Sequence, residues 1–221
     1  MTNTLTRGPA ADVLNRLFAA AEAQEAAAAA AGPGPAPVAP ARAPTAQEEA
    51  DRLQDVYMTV SRGGGQLLYA LTRSARPQTV VEFGTSFGIS AVHLAAGVID
   101  NGGGRVFTTE LSQAKVDQAR ANLAAAGVDG VVTVLAGDAR ETLADVPGPI
   151  GLLLLDGWKD LYLPVLRLLE PRLAPGALVV ADDSTFTSVA GYLAYVRDPA
   201  HGYVTVSFPV EDGMEISCWT G

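Results

Sequence analysis

The stretch Val80-Val81-Glu82-Phe83-Gly84-Thr85-Ser86-Phe87-Gly88-Ile89-Ser90 decides how this chain is read. An apolar run closes on Glu82, and Gly84 and Gly88 then flank a tight turn into a helix. Glycine suits places where a ligand must approach bare backbone or where φ must turn positive. The helix start beyond it presents free amide donors, fitted to a carboxylate. A dinucleotide fingerprint, G-x-G-x-x-G, is the competing pattern, and its second glycine admits a pyrophosphate. Here the spacing is Gly84-x-x-x-Gly88, with Ser86 standing where that close approach would be needed.

Outward from this turn, short apolar runs alternate with amphipathic segments. Strands are predicted at Thr79–Phe83, Arg105–Thr109, Val131–Leu135, Ile150–Leu155 and Ala177–Ala181. Between them the pattern predicts helices at Phe87–Val98, Gln113–Ala126, Ala139–Leu143, Tyr162–Leu169 and Ser188–Arg197. Such alternation means an α/β fold with a mostly parallel sheet and helices on both faces. Tyr203–Phe208 and Glu215–Trp219 follow without a helix between them, so they should pair antiparallel. A seven-stranded Rossmann-like sheet finished by such a hairpin resembles the S-adenosyl-L-methionine (SAM) methyltransferase fold.

Residues 1–44 read differently from residues 45–221, the expected methyltransferase domain. Asp12–Ala31 is Ala-rich, with Leu14, Leu17 and Phe18 at helical spacing. Gly32–Pro44 is rich in proline and predicts an extended linker. Thr45 with Glu48 has capping-box spacing, which predicts a helix running to about Met58. This N-terminal part could be a lid, a contact in a homodimer or an extension.

The chain has 221 residues, 48% of them hydrophobic, enough for one sizeable core. A formal charge of −9 speaks against nucleic acid and anionic membranes as partners. Neither a membrane-spanning run nor a signal-peptide pattern is evident, and the single cysteine, Cys218, cannot form an internal disulfide. These features predict a cytoplasmic protein acting on a small molecule. His93 is expected as helix packing, His201 has no identifiable metal partners, and Cys218 is expected as a core filler.

With SAM at the glycine turn, the free amides would face its methionine carboxylate and Glu82 its ammonium group. Glu110, at the tip of the second strand, can accept hydrogen bonds from both ribose hydroxyls. Asp138 and Ala139, after the third strand, would lie beside the adenine, and Asp138 can also cap the next helix. The fourth strand runs into Asp156-Gly157-Trp158-Lys159, and the fifth ends in Asp182-Asp183. Both tips point to the same sheet edge, so the three aspartates should converge and repel each other unless a cation intervenes. Oxygen ligands suit Mg²⁺, and also Mn²⁺ or Ca²⁺. Lys159 could be a general base or hold a developing phenolate. Beside carboxylates alone its pKa would rise, whereas beside a divalent cation it would fall. Trp158 could be a substrate wall or ordinary packing.

The segments LLLDGWKDLYLP (Leu153–Pro164) and VVADD (Val179–Asp183) resemble those of the catechol O-methyltransferase family. Tyr57-Met58-Thr59-Val60, YLAYVR (Tyr192–Arg197) and DGMEISCW (Asp212–Trp219) extend the resemblance in the same order. Caffeoyl-CoA O-methyltransferases share much of the pattern. The resemblance implies SAM contacts from Val60, Glu82, Gly84, Ser90 and Glu110, and Ser86, Asp138, Ala139 and Asp156 are further candidates for binding the cofactor. It implies Mg²⁺ held by Asp156, Asp182 and Asp183, with Lys159 and Asp156 catalytic and Lys159 as base. Met58, Trp158, Lys159 and Tyr162 would meet the substrate, a small hydroxylated aromatic. Three departures stand out. Position 183 is Asp where the family has Asn, Val206 stands in place of a substrate-binding glutamate, and Gly157 replaces a histidine, which should enlarge the pocket. A metal-independent O- or N-methyltransferase and a non-catalytic SAM-binding protein are the alternatives.

Overall fold

The computed structural model describes residues 3–32 and 42–221. Most of the expected linker falls in 33–41, outside the described residues. Seven strands form one sheet: β1 (Thr79–Phe83), β2 (Arg105–Glu110), β3 (Val132–Ala136), β4 (Ile150–Leu155), β5 (Leu173–Ala181), β6 (Tyr203–Phe208) and β7 (Met214–Trp219). The helices are α1 (Pro9–Ala31), α2 (Ala46–Arg52), α3 (Arg62–Ala75), α4 (Ile89–Asp100), α5 (Gln113–Ala125), α6 (Ala139–Thr142), α7 (Tyr162–Leu169) and α8 (Ala190–Arg197). Among the described residues, no helix is long and apolar enough to cross a membrane.

The strand order is β3-β2-β1-β4-β5-β7-β6. The first five strands are parallel, while β7 runs antiparallel to both β5 and β6. Period-two alternation divides the core into two layers. Val80, Leu152, Leu154 and Val180 pack under α1, α3, α4 and α5. Val81, Leu153, Leu155 and Val179 pack under α6, α7 and α8. Because both faces are covered, β4 reads Ile-Gly-Leu-Leu-Leu-Leu with no polar residue. The chain winds one way from β1 to β3 and the other from β4 to β5. That reversal opens a crevice at the carboxyl ends of β1 and β4.

Three elements depart from the sequence reading. The capping box at Thr45 forms, but α2 ends at Arg52, and residues 56–61 are not helical. Helix α3 was not foreseen, because Gly63-Gly64-Gly65 weighs against a helix. Its packing explains Gly65: a Cβ there would lie 2.5 Å from the His93 ring of α4. Strand β5 begins at Leu173 rather than Ala177. At the far edge, β6 leaves Val204, Val206 and Phe208 exposed.

Helix α1 belongs to the main core, burying Val13, Leu14, Leu17 and Phe18. Farther along it, Gln24 donates to the carbonyl of Asp55 (2.8 Å) and accepts from the amide of Tyr57 (2.7 Å). It thereby fixes the segment leading to Met58 and Thr59.

Candidate functional site

A cavity of about 560 Å³ opens at the carboxyl ends of β1 to β5. At its centre the tips of β1 and β4 meet, with the Asp156 amide donating to the Phe83 carbonyl at 2.8 Å. Gly84 has φ 105°, and a Cβ there would fall 2.4 Å from the Asp156 carbonyl oxygen. Only glycine permits this approach. Ser86, also left-handed at φ 46°, donates its amide to Glu110 Oε2 at 2.9 Å. Glu110 Oε1 accepts from the Ser112 amide at 2.9 Å. Two backbone donors thus fix this carboxylate on the cavity wall. Ser86 Oγ is buried and has no hydrogen-bond partner among the described residues. Asp138 lines the cavity and caps α6 through the Arg140 amide at 2.8 Å. The Arg140 guanidinium, bonded to that carboxylate, lowers its pKa.

The other half of the cavity is built on the tips of β4 and β5. Lys159 Nζ lies 2.6 Å from Asp183 Oδ2 and 3.4 Å from Asp156 Oδ1. It also donates to the Tyr162 hydroxyl at 2.8 Å, and that hydroxyl donates to the Asp182 carbonyl at 3.1 Å. Burial pulls the Lys159 pKa down, but Asp156, Asp183 and Asp182 together leave it raised, so it is an ammonium. Burial pushes Asp156 and Asp182 well above the usual carboxylate range; neighbouring acids add to this and Lys159 opposes it. Met58, Trp158, Leu161 and Phe186 supply apolar wall, and the β6–β7 turn adds Glu211 and Asp212.

Residues 81–184 match the family model described as a methyltransferase domain. Catechol O-methyltransferase of Mus musculus is 31% identical over 177 residues, 74% of this chain and 66% of that one. The chain therefore spans just under two thirds of the mouse protein. The same enzyme of Sus scrofa is 30% identical over 147 residues, covering 63% of this chain and 78% of its own. This chain belongs to the class I SAM-dependent O-methyltransferases related to catechol and caffeoyl-CoA O-methyltransferase. A solved structure, cofactor-bound Rv0187 from MTB, aligns with a TM-score of 0.67 at 25% identity, over 78% of this chain and 87% of that one.

In this methyltransferase the expected residues divide into two groups. Met58, Gly84, Ser86, Glu110, Asp138, Ala139, Asp156, Trp158, Lys159, Asp182 and Asp183 all line the cavity. Val60, Glu82, Ser90 and Tyr162 do not. Glu82 lies fully buried beneath the floor, accepting from Thr108 Oγ1, and its Oε1 has no partner among the described residues. Burial raises its pKa to about 7, against hydrogen bonds from Ser90 and Thr108. Tyr162 is wholly buried and reaches the cavity only through Lys159.

The expected enlargement at Gly157 does not occur. A Cβ there would lie 2.5 Å from the Phe83 ring, which already fills the space. Val206 is exposed on the edge strand and does not line the cavity; Glu211 and Asp212 are the acids of that region on the wall. Among the described residues, no three His, Cys, Asp or Glu side chains are arranged to hold a metal ion. The aspartates converge as expected, but Lys159 stands between Asp156 and Asp183. As arranged, they hold an ammonium rather than a divalent ion.

Sequence reasoning missed Ala46 and Ala50 of α2, and Lys115 of α5, all on the cavity wall. A signal for Lys115 existed. Of the 15 Lys and Arg residues only two are lysine, Lys115 and Lys159, and both line this cavity.

Proposed function

We propose that the protein transfers the methyl group of SAM to a hydroxyl of a small aromatic metabolite in the cytoplasm, without requiring a metal. The observation carrying this reading is that one cavity joins the Gly84–Ser86–Glu110 wall to the Lys159–aspartate cluster. SAM would supply an electrophilic methyl on its sulfonium. Gly84, Ser86 and Glu110 would orient the cofactor, and Trp158, Met58 and Phe186 would flank a flat ring. Lys159, kept as an ammonium, would hold the acceptor oxygen as it gains negative charge rather than remove its proton. The proton would pass to the Asp156–Asp182 pair, whose proton affinity burial brings toward neutrality. Positioning and fixed charge would then supply most of the rate.

Assistance by Mg²⁺ is the second reading, supported by three carboxylates sharing one ammonium. It would require Lys159 to leave the position between Asp156 and Asp183.

The test is calorimetric titration of SAM into the full chain, then methylation of a panel of catechols and aromatic amines in EDTA and in Mg²⁺. Transfer to a hydroxyl that persists in EDTA supports the proposal. Transfer abolished by EDTA and restored by Mg²⁺ overturns the metal-free mechanism. Transfer only to amines overturns the acceptor class, and SAM binding without any transfer favours a non-catalytic role.

A further inference from the structure

Lys115 has no role in the chemistry above, yet its placement is unusual. It lies on α5 and lines the cavity beside Glu110 and Leu111, with α2 opposite at Ala46 and Ala50. The residue is 2% exposed, and the little surface left to it opens on the cavity. Its Nζ stands 5.5 Å from the centroid of the Phe87 ring, which stacks on Tyr57. No carboxylate of the described residues lies within ion-pairing distance of it. Residues 1–2 and 33–41 contain no acid. Among the described residues no hydrogen bond engages the ammonium. An ammonium without a protein partner on a cavity wall keeps its donors free for a ligand.

Glu110 is the foremost charge acting on it. The two groups line the same cavity more than 4.0 Å apart, an arrangement in which a ligand atom could engage both. A hydroxyl does this: it donates to the carboxylate at about 2.7 Å and accepts from the ammonium at about 2.9 Å. Arginine serves at every other basic position in this chain, and lysine only at these two. Lysine's compact charge has three rotatable donors, whereas arginine's fork is planar and rigid.

We propose that Lys115 is a specificity residue for the cofactor, reading the ribose diol together with Glu110. The diol hydroxyls donate to Glu110 and their oxygens accept from Lys115. This rests on the SAM reading above and adds to it a second, oppositely charged contact.

With only two lysines, the chain can report on itself. The full-length protein would be labelled with ¹³C at lysine Cε, giving two signals assigned through K115R and K159R. The probes are 5′-methylthioadenosine, which lacks the amino-acid tail, and its 2′,3′-dideoxy counterpart. The first should shift the Lys115 signal and leave that of Lys159 in place, and the second should leave both near their free positions. By calorimetry, Lys115→Met should weaken 5′-methylthioadenosine by tenfold or more, as expected for a charge-assisted hydrogen bond. It should leave the dideoxy compound unchanged, and Lys115→Arg should restore part of the loss. Binding without movement of the Lys115 signal would overturn the proposal. So would equal weakening of both compounds by Lys115→Met, which would mark a structural role. Should Lys115→Met fail to fold, the wild-type spectra decide by themselves. If neither 5′-methylthioadenosine nor S-adenosylhomocysteine binds the wild type, the SAM reading itself falls, an outcome distinct from binding without diol recognition.

Discussion

Lys159 is held by Asp183, Asp156 and the Tyr162 hydroxyl, so its ammonium points at one place in the cavity. Removing one preorganised donor from a charge-stabilising site costs roughly 10²–10³ in kcat. Lys159→Met should lose activity on that scale while SAM affinity, measured by calorimetry, changes little. Glu82 gives a pH prediction of definite sign. Its pKa is raised by burial from 4.5 to about 7, so the folded state holds a proton that the unfolded chain has released. Its contribution to stability is therefore full below about pH 4.5 and is lost as pH rises through about 7. The melting temperature of the cofactor-free protein should fall from pH 5 to pH 8, and Glu82→Gln should flatten that slope. Gly157→Ala should destabilise by roughly 1–3 kcal/mol in chemical denaturation, because its methyl meets the Phe83 ring. Residues at strand tips were legible in the sequence, since a tip's address follows from the apolar run before it. Gly84, Glu110, Asp156 and Asp182 are of this kind. Lys115 was not, because which face of α5 meets the cavity depends on how that helix docks.

At the scale of elements, β1, β4, α7 and β6 stand where hydrophobic periodicity placed them. Helix α3 escaped notice because three glycines weigh against a helix locally, while Gly65 answers to a tertiary demand, the closeness of α4, that local propensity cannot register. Helix α2 is shorter than its capping signal suggested, since a cap fixes where a helix starts and not where it stops. Helix α1 appeared bland in composition, yet Gln24 ties it to residues 55–57, next to the cavity wall. Gln24→Ala should cost about 1 kcal/mol of stability by removing these two hydrogen bonds. It should also weaken SAM severalfold by loosening Met58 and Thr59. Full SAM affinity in this variant would show that α1 has no influence on the site.

For the whole molecule, alternating strands and helices pointed to the parallel sheet, and two consecutive strands to its antiparallel finish. The strand order fixes the site, because the reversal between β1 and β4 is where the crevice must open. What the sequence could not show was how charges share that crevice. Three aspartates suggested a metal, whereas the folded chain places Lys159 among them.

The outer strand β6 has a consequence for behaviour in solution. It shows Val204, Val206 and Phe208 to solvent on a strand that carries no lysine or proline, two residues that commonly guard such edges, before Pro209 closes it. A net charge of −9 provides the opposing repulsion between molecules. Ionic strength acts on that repulsion and leaves the apolar stripe untouched, since charges are screened beyond about 10 Å at 0.1 M salt. Self-association should therefore grow as salt is added, a trend light scattering would follow, and Val206→Lys should suppress it. Dissolved ions would thus govern how crowded a solution this protein tolerates.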